Sequence, residues 1–332
     1  MKPRKVTLVR RLVQLAFFIL LLYGAFIFPH PLEAPIPSIE PGTPRTSQYP
    51  RDRILWVSGK ECVIDMYLPV LACRFIAQGG TFKSCSLHVL SENITWKTSI
   101  KLLLPHLAFL AVLSFLFARM WCGWACPLGA MQDAMGWIRR QFGAGPWHLA
   151  QGWDRFFRVL RHVLLWLSLA ISALITLPLF GRTGVNDALF LIYCQLCPSR
   201  LVYPPLGGVN PCWTDFTNGI TTTLTFLGWF CLGVFALGFM VPRLWCRFCA
   251  VGALLSYFNR GGLVTLEKQA GKCTSCGTCR RVCPVEVQRV YRDRTNPIVT
   301  DTQCTLCGRC VESCPEEGCL SMRLAGRSIV ES

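Results

Sequence analysis

The chain has 332 residues, 52% of them hydrophobic, a net charge of +16 and a mean hydropathy of +0.40. So apolar a composition excludes an ordinary soluble globular protein and points to membrane spans. The basic excess comes without a basic helix or an aromatic–basic platform, which argues against a nucleic-acid partner.

Four stretches, at about 12–28, 102–120, 163–180 and 219–241, have no Lys, Arg, Asp or Glu in their middles. Each supplies roughly the ~20 apolar residues that a helix needs to cross a bilayer. Four transmembrane helices surrounded by lipid are therefore expected, in an α-helical integral membrane protein; buried helices of a large soluble core fit such runs poorly. The first run follows Lys2, Arg4, Lys5, Arg10 and Arg11 and so resembles the start of a secretory signal. It ends at Pro29 with no small-x-small cleavage pattern, so residues 1–28 are expected to remain as an anchor.

Segments 1–11, 119–161 and 243–332 hold 24 Lys and Arg, against 10 in 29–101 and 181–218. The positive-inside rule then places both termini in the cytoplasm, in a multi-pass protein of a bacterial cytoplasmic membrane.

Residues 29–101 form the first outer, periplasmic segment. Pro29, Pro31, Pro35, Pro37, Pro41, Pro44 and Pro50 keep its beginning extended. An apolar piece at 62–76 is expected as a short helix at the interface.

Residues 102–260 are the expected transmembrane core, and they contain a repeat. The second span runs into Arg119-Met120-Trp121-Cys122-Gly123-Trp124-Ala125-Cys126, and the fourth into Arg243-Leu244-Trp245-Cys246-Arg247-Phe248-Cys249. Both copies continue with two residues and then Gly-Ala. A motif used twice implies two related hairpins. Pairing them would gather Cys122, Cys126, Cys246 and Cys249 at the membrane face, the ligand count of an iron–sulfur cluster. A zinc site and four plain buried thiols are the competing readings.

Six further cysteines, Cys62, Cys73, Cys85, Cys194, Cys197 and Cys212, fall in outer segments. In an oxidising compartment they could form up to three disulfides. Cys194-Gln195-Leu196-Cys197-Pro198 also looks like half a metal site, so spacing leaves both readings open. Cys231 lies inside the fourth span and Cys319 near the C-terminus.

Haem is not expected. There is no Cys-x-x-Cys-His, and of His30, His88, His106, His148 and His162 the two nearest to spans, His106 and His162, lie at unmatched depths. No nucleotide or flavin fingerprint is present. His88 or His106, and Asp187 or Asp215, could accept a proton from a quinol, although interface histidines and solvated carboxylates are their ordinary reading.

Residues 261–332 carry the most specific signal. Cys273-x-x-Cys276-x-x-Cys279-x-x-x-Cys283-Pro284 is followed by Cys304-x-x-Cys307-x-x-Cys310-x-x-x-Cys314-Pro315. In such double runs three cysteines of one copy and the last of the other hold each cubane. Cys273, Cys276, Cys279 and Cys314 are thus assigned to one [4Fe-4S] cluster, and Cys304, Cys307, Cys310 and Cys283 to the other. A pair of zinc ribbons is the competitor, and the two closing Cys-Pro steps argue against it. A cytoplasmic α+β double ferredoxin domain follows, in which Arg280, Arg281 and Arg309 could tune cluster potential.

Together, the Arg-x-Trp-Cys-Gly-Trp-x-Cys-Pro-Leu-Gly ending, the outer Cys-x-x-Cys-Pro, the second cysteine motif and the double ferredoxin form a pattern. Over about residues 100–320 it resembles the polytopic iron–sulfur membrane proteins typified by NapH, MauN and the membrane half of NosR. The resemblance implies electron transfer between the quinone pool and a partner redox protein of a respiratory chain, as in a quinol dehydrogenase. The related CcoG-type proteins imply a second role, electron supply for metal-centre assembly. A third is an anchor subunit with no quinone site of its own. The chain departs from the family at Cys246-x-x-Cys249-Ala250, where Cys-x-x-x-Cys-Pro is usual. It also adds the segment with Cys62, Cys73 and Cys85, and lacks the flavin domain of NosR.

Overall fold

A computed structural model describes residues 5–27, 64–67, 82–83, 85–93, 100–149, 151–175, 189, 192–206, 216 and 219–332. The Pro-rich segment, Cys62, Cys73, Cys212, His30, Asp187 and Asp215 lie outside the described residues, as do the side chains of His88 and His106. Of the 62–76 piece only Ile64–Tyr67 is described, and it is a strand paired with Phe82–Lys83 rather than part of the expected helix.

Helices occupy all four apolar stretches: Lys5–Ile27, Ile100–Phe117, Gln151–Ile175 and Gly219–Ala236. Two stretches, Arg155–Ile175 and Gly219–Phe239, are long and apolar enough to cross a membrane by length and composition, while Leu107–Phe117 is apolar but shorter. The third helix starts twelve residues before the expected span. Its first turns carry Arg155, Arg158 and Arg161, so it is amphipathic there and apolar beyond.

The chain divides into two compact units. One comprises residues 19–108 and 166–235. In it the short helices Ser86–Asn93 and Ile192–Leu196 pack together, and Ile64–Tyr67 pairs in parallel with Phe82–Lys83. Gly228 of the last long helix faces the Gln195 carbonyl, which would lie 3.2 Å from an added Cβ.

The other unit comprises residues 1–18, 109–165 and 236–332. Here the repeat read from sequence becomes a repeated conformation. The helix Ile100–Phe117 stops at Ala118 in the left-handed region (φ 44°), and a five-residue helix, Met120–Trp124, follows. In the second copy Arg243 is the left-handed residue (φ 49°), and Leu244–Phe248 is the five-residue helix. Each copy then places a cysteine in extended backbone at the start of the next helix. Cys126 (φ −66°, ψ 121°) precedes Pro127–Gln141, and Cys249 (φ −60°, ψ 126°) precedes Ala250–Ser256. The extra Ala125 of the first copy is absorbed as a helix C-cap, so Cys-x-x-x-Cys and Cys-x-x-Cys end in the same local geometry. Proline after the cysteine suits the first helical position but is not required there, because that N–H has no intrahelical acceptor in any case.

The C-terminal part has an antiparallel sheet of Val264–Lys268, Leu320–Leu324 and Arg327–Glu331, in that order. Along the first strand Val264, Leu266 and Lys268 point inward, the alternation a strand covered on one face requires. Val264 and Leu266 join Val285, Val287, Val290, Val299, Leu306, Val311, Leu320 and Met322 in one core. Lys268 is buried with them, and its ammonium donates to the carbonyls of Val290, Tyr291 and Asp293 at 3.0, 3.1 and 2.9 Å. All three ammonium protons are thereby matched, which is what makes a lysine tolerable there.

Replacing Lys268 with Ala leaves three carbonyls without their donor. It is expected to destabilise the C-terminal part by about 3 kcal/mol, since bonds to a charged group contribute ~1.5–3 kcal/mol each but share one desolvation cost. Thermal unfolding followed by circular dichroism measures this; an unchanged midpoint would refute it.

Candidate metal centres

Each ferredoxin run turns through two left-handed residues, Ser275 and Gly277 in one, Leu306 and Gly308 in the other. Gly277 (φ 73°) and Gly308 (φ 71°) start the one-turn helices Thr278–Arg281 and Arg309–Glu312, a conformation that a missing Cβ makes inexpensive. The loops curl so that three cysteines face inward.

Cys273, Cys276, Cys279 and Cys314 line one cavity of about 350 Å³, part of it open to solvent. Cys283, Cys304, Cys307 and Cys310 line a second, of about 440 Å³. Cys279 borders both, so the two cavities are neighbours. Backbone N–H groups of Leu306 and Val287 point at the sulfurs of Cys304 and Cys283, at 3.4 and 3.3 Å. Sulfur donors around an apolar-walled space, with amides aimed at them, fit an iron–sulfur cluster. Among the described residues no three His, Cys, Asp or Glu converge closely enough for a single metal ion. The ligands of a cubane surround a volume rather than a point.

The four repeat cysteines are also brought together. Burial raises the thiols of Cys122, Cys126 and Cys246, the last to about 12, and mutual repulsion among Cys122, Cys126, Cys246 and Cys249 adds to it. The Cys246 thiol donates to Gln132 Oε1 at 3.4 Å.

The two motif arginines lock the copies to each other by exchange. Arg119 Nη2 donates to the Cys246 carbonyl at 3.0 Å, and Arg243 Nη1 donates to the Cys122 carbonyl at 3.3 Å. Both also reach the second ferredoxin loop, Arg119 at the Thr302 carbonyl and Arg243 at the Thr305 hydroxyl, 3.1 and 3.3 Å. The Trp124 indole donates to the Leu306 carbonyl at 2.9 Å. Gly123 lies so close to this loop that a Cβ would come within 2.2 Å of the Thr305 carbonyl oxygen. The repeat site and the second ferredoxin site are therefore backbone to backbone. On the other copy, Arg247 holds Glu286 at 3.1 Å and the Pro284 carbonyl at 3.4 Å, beside Cys283.

Asp133 ties these pieces together. It accepts from Arg243 at 2.6 and 3.0 Å, from Arg309 at 3.1 Å and from Gln14 at 3.0 Å, with Arg10 at 3.7 Å. Burial opposes its ionisation, but Arg243 and Arg309 hold the carboxyl far below the usual carboxylate range. Sequence reading did not single out Asp133, Gln132, Gln14 or Asn259. The repeated Arg before Trp-Cys was visible, but no partner for it was. Cys319 was likewise left over; it is buried, lines the first cavity and points its thiol at the Gln269 carbonyl at 3.8 Å.

In the other unit, Cys194 is buried on the helix Ile192–Leu196. Cys197 is half-buried just beyond it and accepts from the Ser199 hydroxyl at 3.0 Å.

Comparison with known proteins defines the class. A model described as a 4Fe-4S binding domain matches residues 104–145, which include Cys122 and Cys126, and a 4Fe-4S dicluster domain matches residues 265–315. The chain is similar to the ferredoxin-type protein NapH of Escherichia coli, 31% identical over 50% of this chain and 47% of the relative. It is also similar to the methylamine utilization ferredoxin-type protein MauN of Methylobacillus flagellatus, 28% identical over 51% and 50%. An uncharacterized protein of Methanocaldococcus jannaschii is 27% identical over 53% and 56%. The chain thus spans about half the length of these relatives. No solved structure matches it. These likenesses are to ferredoxin-type iron–sulfur proteins, and the two matched domains are both of the 4Fe-4S kind.

Asp133→Asn would leave buried guanidinium groups without their carboxylate. It is expected to destabilise the unit by about 3–5 kcal/mol, the cost of breaking a buried pair from one side. Gly123→Ala is expected to cost about 1–3 kcal/mol through forced separation of the two backbones. Melting of the purified variants tests both, and unchanged stability of Asp133→Asn would show that the network is dispensable.

Proposed function

We propose that this chain is a membrane-bound electron-transfer protein that exchanges electrons between the quinol pool and a partner redox protein. Cys273, Cys276, Cys279 and Cys314 would hold one [4Fe-4S] cluster, and Cys304, Cys307, Cys310 and Cys283 a second. Cys122, Cys126, Cys246 and Cys249 would hold a third. Bound clusters supply one-electron redox capacity; the protein supplies ligation, burial and hydrogen bonds that set their potentials.

The observation that carries this reading is the docking of the repeat motif on the second ferredoxin loop. Gly123 meets Thr305, Arg119 bonds the carbonyls of Cys246 and Thr302, and Arg243 bonds the Cys122 carbonyl and the Thr305 hydroxyl. Such contact gives a continuous covalent and hydrogen-bonded path from the ends of the apolar helices to the ferredoxin cavities. Wide apolar exposure on the long helices, at Trp166, Phe226 and Phe230 among others, supports lipid contact there. Four spans, with both termini and the ferredoxin domain in the cytoplasm, complete the proposal. Quinol would bind in an apolar groove between helices near the interface, where protons can exchange with water.

Iron quantification with anaerobic EPR tests it. Wild-type protein should hold about 12 irons per chain, and Cys122→Ser with Cys246→Ser should remove about four, one cubane's worth. Adding a reduced quinol analogue should reduce the clusters. About eight irons in both proteins would sink the third site, and clusters indifferent to quinol would sink the quinol role.

A further inference from the structure

The two ferredoxin runs are near copies in sequence but sit in different electrical surroundings. Around the first, Cys276 is exposed, and so are Arg280 and Arg281, whose charge water screens. The buried Lys268 also lines this cavity, but its ammonium is directed at the carbonyls of Val290, Tyr291 and Asp293. Its counterpart Cys307 is buried, and its loop lies against a cluster of guanidinium groups: Arg243 bonds Thr305 at 3.3 Å, Arg309 follows Cys307 by two residues, and both meet Asp133 together with Arg10. Arg10 and Arg243 are almost wholly buried, and Arg309 is 20% exposed. Among the described residues Asp133 is the carboxylate that pairs with all three.

Arg10 is the informative member. Among the described residues none of its three guanidinium nitrogens has a hydrogen-bond partner, and its ion-pair contact is Asp133 at 3.7 Å. The helix bearing it is fixed there by other contacts: Thr7 N–H donates to Glu312 at 3.1 Å, and Gln14 donates to the Gly123 carbonyl at 2.9 Å. A buried guanidinium without an acceptor is costly unless an anion stands nearby.

We propose that Arg10, Arg243 and Arg309 set the redox balance of the molecule, making the centre at Cys283, Cys304, Cys307 and Cys310 the more oxidising of the two ferredoxin centres. The inference rests on the cluster reading above. Reduction by one electron adds one negative charge, and nearby cations favour the more negative state. At an effective dielectric of about 20 each buried charge acts roughly four times as strongly as it would through water. The exposed arginines of the first run act through water, and its buried Lys268 adds one positive charge, against a net two from the three guanidinium groups and Asp133. An electron shared between the two centres therefore rests at the buried one, next to the repeat site.

EPR-monitored redox titration of the full-length protein in detergent tests this, the two ferredoxin signals being assigned by their separate loss in Cys276→Ser and Cys307→Ser. Arg10→Gln and Arg309→Gln should each lower the higher midpoint potential, leave the lower one in place and so narrow the gap. Arg10→Lys should restore the gap, and Arg280→Gln should not change it. A gap unchanged in both Gln variants, or both potentials moving together, would overturn the proposal. If Arg10→Gln loses iron, the partly exposed Arg309 decides alone. Wild-type protein without two reducible ferredoxin signals would instead refute the cluster reading itself.

Discussion

The buried carboxylate of Asp133 is the constraint on which the larger unit depends. It sits on the amphipathic helix Pro127–Gln141 and binds side chains from the N-terminal helix, the second repeat motif and the second ferredoxin loop. A charge removed from water needs several donors to be tolerated, and here each donor comes from a different stretch of chain. The carboxylate consequently specifies an arrangement more than it adds stability. Remove it, and three cationic groups lose the anion that gathers them.

Around that point the chain has solved a joining problem. Two motifs about 120 residues apart must meet each other and a ferredoxin loop without separating the backbones. The exchange of arginines, each reaching the carbonyl of the other copy's first cysteine, provides the meeting. The absence of a side chain at Gly123 provides the closeness. Asn259 completes the joint, accepting from the Arg119 amide and donating to the carbonyls of Asp301 and Cys304. The hydrogen bonds that hold the fold thus run through the backbone of the cysteine loops themselves.

The family departure at Cys246-x-x-Cys249-Ala250 illustrates how sequence spacing and geometry can part. One residue fewer between the cysteines suggests a different loop. Yet Cys126 and Cys249 have nearly the same backbone angles, because the additional Ala125 is taken up at the end of the preceding short helix. Helix ends absorb single residues readily, since their terminal carbonyls are unpaired within the helix.

Sequence alone determined what depends on local pattern. Apolar runs place four helices, because hydropathy over a score of residues is a local sum. The double Cys-x-x-Cys-x-x-Cys-x-x-x-Cys-Pro run marks a cluster-binding loop, because three of four ligands come from one tight turn. The duplicated Arg-x-Trp-Cys marks a repeated local conformation, a short helix followed by a cysteine in extended backbone. Only the tertiary structure decided which distant groups meet: Asp133 with Arg10, Arg243 and Arg309, each motif arginine with the opposite cysteine loop, and Gly123 with Thr305. It also decided that Cys276 is exposed while Cys307, its twin in the repeat, is buried among cations. Two identical local motifs carry no record of their surroundings, since burial and field are set by whatever else the chain packs against them.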